Sequence, residues 1–392
     1  MIRIAFVVHG MQAGGIERSV TRIIGGLDRK QFLPFVICLD RSGPAVAWLA
    51  EDVPVIEIKK QSGNDISAII RLRSVLREYQ IDIVQSHNWG TLIETMIARK
   101  MAGVQAHVHA ERGTVLGSVS SNGWRHRLRA IAMKVALTTV DRVMSNAHAV
   151  AKRVEERSGY SANQIAIVPN GVRGYSTTKK NHWRKGICKS LGIGESSLVL
   201  GSVGRLDDVK GFDVLIDAMP LILQAAKQQI HLILVGGGKQ RQTLEKISRE
   251  KQIGRYVHFV GHQEDVEPWL LAFDIYVNSS RSEGMSQSIV EAMSVGLPIV
   301  ATDVGDAKQM LSSDNLICGI VCEPEQPHAL AHAIVKFSNN HLLRDECGNA
   351  AMISHRKRYD EVVFSNSMRD LYIETLNLEL PTREMQVSRV AK

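Results

Sequence analysis

The feature that most limits how this 392-residue chain folds is a rhythm that runs through it twice. Short apolar runs alternate with longer stretches of helical spacing. Strands are predicted at IRIAFVVHG, FVICLD, IDIVQSH, QAHVHAERG, DRVMSNA and IAIVPNGV, and again at SLVLGSVG, IHLILVGGG, YVHFVGH, FDIYVNSS and LPIVATDVG. Alternation of such runs with helices predicts parallel sheets covered on both faces, an α/β chain. Between the two series lies GVRGYSTTKKNHWRKGICKSLGI, polar and basic without an apolar period, which predicts a connection between domains. The expected division is a Rossmann-like domain over 1–172, a linker over 173–196 and a second Rossmann-like domain over 197–360. A helix over 361–380 carries apolar Phe364, Met368, Leu371 and Leu378, and 381–392 is expected to be a loose tail.

A chain of this length exceeds one compact core and suits two domains. The formal charge of +8 and pI of about 9.2 fit a phosphate-bearing ligand or an anionic membrane surface. No single basic block dominates, so nucleic acid is not an expected partner. Cys38, Cys188, Cys318, Cys322 and Cys347 are odd in number and scattered, which predicts reduced thiols and a cytoplasmic protein. The first residues lack the pattern of a secretion signal. No apolar run reaches the roughly 18 residues that a membrane-spanning helix requires.

Two stretches carry chemistry. In EGMSQSIVEAMSVGLPIVATDVG, Glu283 falls in a loop and Glu291 in a helix that Gly296 and Pro298 end. One reading is structural: Ser288 and Glu291 have the spacing of a capping box. The other is a ligand site. Gly284 admits close backbone approach, amides at Met285, Ser286 and Gln287 near a helix start attract phosphate, and carboxylates take hydrogen bonds from sugar hydroxyls. In GSVGRLDDVKGFDVLIDAM, Arg205 follows a strand and Lys210 precedes a helix. The helix dipole disfavours cations there unless an anion binds between them. The competing reading is a solvated turn paired with Asp207 or Asp208.

The Gly-Arg-Leu, Lys-Gly and Glu-Gly elements, with a second glutamate eight residues after the first, resemble the large family of retaining glycosyltransferases with the GT-B fold. VEAMSVGLPIVATDVG, VDRVMSNAHAVAKRV, IAIVPNGV and GGIERSV are similar to that family's patterns. The resemblance implies two Rossmann-like domains facing across a cleft, the first (1–172) binding the acceptor and the second (197–360) the donor, with the C-terminal helix returning to the first. It implies transfer of a sugar from a nucleotide sugar to an acceptor hydroxyl with retention of configuration, without a metal or other cofactor. Arg205 and Lys210 would hold the donor diphosphate, Glu283 the sugar and Glu291 the ribose. Gly284, Met285 and Ser286 would meet sugar and phosphate, Gly14 and Gly15 would approach the donor, and Gly261 and His262 would lie near the base. UDP is the expected nucleotide on family frequency. The product would belong to a surface polysaccharide or glycolipid.

In AHVHAERGT, His107, His109 and Glu111 alternate along a strand and share a face. His109 is the first-domain residue expected among the catalytic groups. His87, Glu111 and Arg112 are expected at the acceptor or sugar, although Arg112 stands where many relatives carry histidine. No metal site is expected. WRHRLRAIAMKVAL sets Trp124, Leu128, Ile131 and Val135 at helical spacing, with Arg125, Arg127, Arg129 and Lys134 elsewhere on the wheel. That pattern suits either a half-buried helix or one resting on anionic lipid at the inner face of the cell membrane, with a lipid-linked acceptor. A sugar-nucleotide epimerase of similar fold and a non-catalytic saccharide-binding protein remain the alternative functions.

Overall fold

The computed structural model describes residues 1–12, 14–63, 65–113 and 124–377, the side chains of 124–126 excepted. The chain divides into two compact units. The first takes Met1–Met144, Val154–Val168 and the described residues from Ser365 on, and the second takes Ser145–Arg153 and Pro169–Phe364.

The first unit holds a sheet of seven strands: β1 (Ile2–Val8), β2 (Phe32–Cys38), β3 (Val55–Glu57), β4 (Ile83–His87), β5 (Ala106–Glu111), β6 (Arg142–Ser145) and β7 (Ile165–Ile167). Their spatial order is β3-β2-β1-β4-β5-β6-β7, and the pairings of β1 with β2 and β4, β2 with β3 and β4 with β5 are parallel. From Ile4 to Val8, β1 is at most 1% exposed, because helices cover both faces of a parallel sheet. The helix Glu361–Thr375 packs here: Tyr372 is fully buried between Phe6 and Phe32, at ring distances of 6.5 and 6.1 Å, and its hydroxyl donates to Oε1 of Gln85. The C-terminal helix therefore returns to the first domain, as expected. Leu378 and the tail 381–392 lie outside the described residues.

The second unit holds β8 (Leu198–Val203), β9 (Ile230–Val235), β10 (Val257–Gly261), β11 (Ile275–Asn278) and β12 (Ile299–Thr302). A two-residue hairpin, β13 (Ser312–Ser313) with β14 (Leu316–Ile317), precedes β15 (Gly319–Cys322). The six-stranded sheet runs β10-β9-β8-β11-β12-β15, with every adjacent pair parallel. Both sheets thus open with the Rossmann order in which the first strand lies between the second and the fourth. The order reverses between β1 and β4, and again between β8 and β11; ligands of such sheets bind beyond the carboxyl ends of strands at those reversals.

Three details differ from the sequence reading. β3 and β15 lie in runs too short or too polar to announce a strand. The expected linker is not a bare connection: Lys180–Ser190 is a helix of the second unit, with Ile187 and Cys188 buried. Arg184 fastens it by donating to the carbonyls of Ala272 and Ser197 and pairing with Asp274 at 2.8 Å. Its buried residues are too few to produce an apolar period in a basic stretch. All five cysteines are free thiols, and among the described residues no helix is long and apolar enough to cross a membrane.

Candidate functional site

The reversal point of the second sheet is flanked by the loop after β8, residues 204–211, and the loop after β11, residues 279–286. Gly211 joins them. Its φ of +60° is left-handed, and a Cβ there would lie 2.2 Å from the carbonyl oxygen of Ser279, so only glycine fits. Ser279 donates its hydroxyl to the carbonyl of Lys210 at 3.0 Å, and the amide of Arg281 donates to the carbonyl of Val209 at 2.8 Å. The Arg281 guanidinium makes a bidentate pair with Asp213 at 2.8 and 2.7 Å and a further bond to Glu325 at 2.7 Å. These carboxylates raise the Arg281 pKa further, and the guanidinium in turn outweighs the upward push of burial to lower that of Asp213.

The clamped loops bring Lys210 and Glu283 together. Lys210 Nζ lies 2.5 Å from Glu283 Oε1, and Ser280 donates its hydroxyl to the same oxygen at 2.8 Å. The two side chains are 21% and 14% exposed. The carbonyl of Glu283 accepts from Arg153, and that of Gly284 from the amide of Asp306. Gly305, φ +60°, must be glycine because a Cβ would stand 2.2 Å from the Gly284 carbonyl oxygen. Sequence reasoning found Lys210 and Glu283 but not Ser280, Arg281 or Asp213, whose roles arise from pairing across distant segments.

The helix carrying Glu291 spans Gln287–Ser294 with Ser286 at the N-cap, and it ends as expected, with Gly296 at φ +72°. This corrects the capping-box reading: Ser288 already lies inside the helix. Ser286 makes no capping bond; its hydroxyl accepts from Asn278 Nδ2 at 3.0 Å. The first amides of this helix have no intrahelical acceptor, and its N-cap lies three residues after Glu283. Glu291 is 7% exposed. Its charge and that of Glu283 both act on the phenol of Tyr276 in β11, whose pKa is raised first by burial and then by these carboxylates.

Arg205 points outward, 83% exposed, and pairs with Asp207 at 3.1 Å, so the structure does not join it to Lys210. Gly261, at φ +76°, ends β10, where its carbonyl accepts from the amide of Gly236 at 2.8 Å. His262 follows and lines a cavity of about 540 Å³ with Trp183 and Trp269. Met285 accepts from the amide of Asn170 through Sδ at 3.2 Å.

In the first unit, Gly14 and Gly15 open the helix Gly15–Gly26 after β1, beside the reversal point. His107, His109 and Glu111 do share a face. The Ser86 hydroxyl lies 2.8 Å from His107 Nε2 and 2.8 Å from His109 Nδ1, and His109 Nε2 lies 3.5 Å from Glu111 Oε2. His109 and Glu111 are fully buried, and among the described residues His109 Nε2 and both carboxylate oxygens of Glu111 make no hydrogen bond. His87 is 2% exposed and stacks on Phe6, neither ring nitrogen makes a hydrogen bond among the described residues, and burial followed by the charge of Arg112 holds its pKa well below the ordinary imidazole value. Arg112 is half-buried with its guanidinium turned inward; its amide donates to Asn88 Oδ1 at 3.0 Å, and burial brings its pKa down to about 10. Among the described residues, no three His, Cys, Asp or Glu side chains are grouped to hold a metal ion.

Comparison with known proteins gives matches over nearly the whole chain. The model of the family described as Glycosyl transferases group 1 matches residues 184–353, and that of Glycosyltransferase Family 4 matches residues 13–173. The chain is 25% identical over 397 aligned residues to the UDP-Gal:alpha-D-GlcNAc-diphosphoundecaprenol alpha-1,3-galactosyltransferase of Escherichia coli, covering 95% of this chain and 97% of that protein. It is 29% identical over 182 residues to the lipopolysaccharide core biosynthesis glycosyltransferase LpsE of Rhizobium meliloti, covering 45% of this chain and 49% of that one. Among solved structures, a glycosyltransferase from Rickettsia africae superposes with a TM-score of 0.80 at 18% identity, over 96% of this chain and 99% of that one. Anabaena Alr3699/HepE, in complex with UDP, superposes with a TM-score of 0.78 at 19% identity, over 95% and 100%. At such identities the structural likeness establishes the fold, which is the GT-B architecture.

Proposed function

Because this chain belongs to the group 1 glycosyltransferases, with a family 4 domain ahead of the group 1 domain, we propose that it moves a sugar from a nucleoside diphosphate sugar to a hydroxyl of a saccharide or lipid-linked acceptor, with retention and without a metal. The observation that carries this reading is the Lys210–Glu283 pair at the sheet reversal, beside the free amides of Gln287–Ser294. The Glu283 carboxylate, itself held by the Ser280 hydroxyl, keeps the ammonium in place, so its charge is preorganised for a departing diphosphate. Arg205 has only an exposed pair with Asp207 to give up, a contact worth about 0–1 kcal/mol, before turning to the same phosphates. Glu283 then takes sugar hydroxyls and Glu291 the ribose. The bond from the anomeric carbon to the diphosphate oxygen breaks, the bond to the acceptor oxygen forms on the same face, and the acceptor proton passes to the leaving phosphate. The family resemblance supports that course.

UDP is the proposed nucleotide. The named substrate of the Escherichia coli relative and the UDP held by Alr3699/HepE support it. The test is calorimetric titration of the full chain with UDP, GDP, ADP and NAD in EDTA. Binding of UDP alone is expected; binding of NAD alone, or of no nucleotide, overturns the donor site.

The proposed workplace is the inner face of a membrane, contacted peripherally. The helix Trp124–Thr139 buries Met133, Ala136 and Leu137 but leaves Leu128, Ile131 and Val135 56–60% exposed, with Arg127, Arg129 and Lys134 exposed beside them. The side chains of Trp124 and Arg125, part of the same expectation, lie outside the described residues. Apolar surface edged by cations suits anionic lipid. Vesicles containing anionic lipid should sediment the protein and neutral vesicles should not; equal binding to both rejects the electrostatic part.

A further inference from the structure

Asp306 stands at the N-cap of the short helix Ala307–Leu311, yet its carboxylate makes no capping bond to that helix. Aspartate is among the residues best suited to cap the helix they begin. Here the carboxylate goes to a helix 158 positions away. Oδ2 accepts from the amide of His148 at 2.7 Å and Oδ1 from the amide of Ala149 at 2.8 Å, and the His148 imidazole Nδ1 lies 3.2 Å from Oδ2. These are the first amides of the helix His148–Ser158, and Ala147, the residue before it, has no side-chain acceptor to offer them. The Asp306 side chain is 11% exposed, so a carboxylate largely shielded from water sits at the positive end of that helix.

Asp306 also holds the loop that carries Glu283. Its amide donates to the carbonyl of Gly284 at 3.0 Å. Arg153, one turn beyond Ala149 in the capped helix, donates to the carbonyl of Glu283, and its Nε donates to the carbonyl of Ala149 at 3.2 Å, which ties the guanidinium back to the capped turn. A Cβ at Gly284 would stand 2.8 Å from Cγ2 of Val150, so the loop lies directly against the same turn. All of these residues belong to the second unit.

Both carbonyls are therefore fixed, one by Asp306 directly and one through the helix that Asp306 caps. A trans peptide group is planar, so fixing its C=O also fixes the N–H that points the opposite way. The N–H groups set in this manner are those of Gly284 and Met285, and neither makes a hydrogen bond among the described residues. Resting on the transferase reading above, we propose that Asp306 is a positioning residue for the donor site. By capping the helix His148–Ser158 and holding Gly284, it orients the free amides of Gly284 and Met285 for the donor and keeps the Glu283 carboxylate against Lys210. Asp306 itself touches no substrate.

The test is calorimetric titration of UDP into the full chain and three variants, each held below its own melting temperature. Asp306→Ala removes both acceptor oxygens and should bind UDP about tenfold more weakly or worse, as expected when groups that meet a ligand lose their orientation. Asp306→Asn keeps one acceptor oxygen and should stay within about threefold of the parent. Arg153→Ala leaves the cap in place and frees only the Glu283 carbonyl; it should lose about fivefold with little change in melting temperature, and it decides the matter if Asp306→Ala does not fold. A purely stabilising Asp306 would lower the melting temperature and leave the affinity of the folded protein unchanged. UDP affinity within about twofold of the parent in a folded Asp306→Ala, or in Arg153→Ala, overturns the proposal. A parent that binds UDP as tightly as every variant leaves the donor reading standing and removes only the role of Asp306; a parent that binds no UDP overturns the donor reading and this proposal with it.

Discussion

Lys210 and Glu283 lie 73 positions apart in the chain, yet their charged atoms meet at 2.5 Å. Each was legible alone, Lys210 as a cation misplaced before a helix and Glu283 as an acid beside glycine. What the sequence concealed was their meeting, because it depends on Arg281 reaching Asp213 and on the Gly211 backbone passing under Ser279. Lys210→Ala should lower turnover by roughly a hundredfold or more while the fold persists, since it removes a charge aimed at the leaving group; steady-state rates with the identified donor check this. Glu291→Gln keeps volume and helix position but removes the charge. UDP affinity should fall about tenfold with the melting temperature nearly unchanged, as read by calorimetry and thermal scan. Unaltered affinity would return Glu291 to a packing role, although no longer to a cap, since the helix begins too early for that.

Elements were legible in proportion to their apolar length. The apolar helices and the core strands show their period, whereas β3, three residues long, and the helix Lys180–Ser190, amid lysines and arginines, do not. The crossover helix Glu361–Thr375 was legible from Phe364, Met368 and Leu371, but its anchor, Tyr372, was not among them, because its value lies in Gln85, Phe6 and Phe32 far up the chain. Tyr372→Phe leaves the Gln85 amide without its buried partner and should cost about 1–3 kcal/mol. Tyr372→Ala should cost about 3–5 kcal/mol by opening a cavity as well. Urea unfolding of the two variants measures both. On the helix Trp124–Thr139, Leu128→Ser/Ile131→Ser/Val135→Ser should abolish sedimentation with anionic vesicles without disturbing the fold, because all three side chains are exposed.

At the scale of the molecule, the twofold strand–helix rhythm was enough to give two parallel sheets, and the strand order then marked the two reversals beyond which ligands of such sheets bind. Alternation along a strand told that His107, His109 and Glu111 share a face, but not that this face is buried. Burial of these imidazoles has a consequence for acid stability. Burial lowers the pKa values of His87, His107 and His231, and brings His258, 3.0 Å from His231, down to about 4. Each is lower in the folded than the unfolded state, so the unfolded chain binds more protons and stability rises with pH across that interval. For His258 this contribution is present above about pH 6.5 and is lost as pH falls toward 4. The melting temperature should drop between pH 7 and pH 5, and His258→Gln should flatten part of that slope; a pH-independent melting temperature over this range would contradict the assignment.

The first unit takes its last helix from beyond Ser365, after the whole of the second unit has been encoded. During synthesis the surface of Phe6, Phe32 and Gln85 therefore waits uncovered while residues 169–364 emerge, roughly ten to forty seconds at ribosomal rates of about 5–20 residues per second. The amino-terminal domain, although made first, is finished last, and a chain cut short before Ser365 is left with an apolar face that only its own missing end can close.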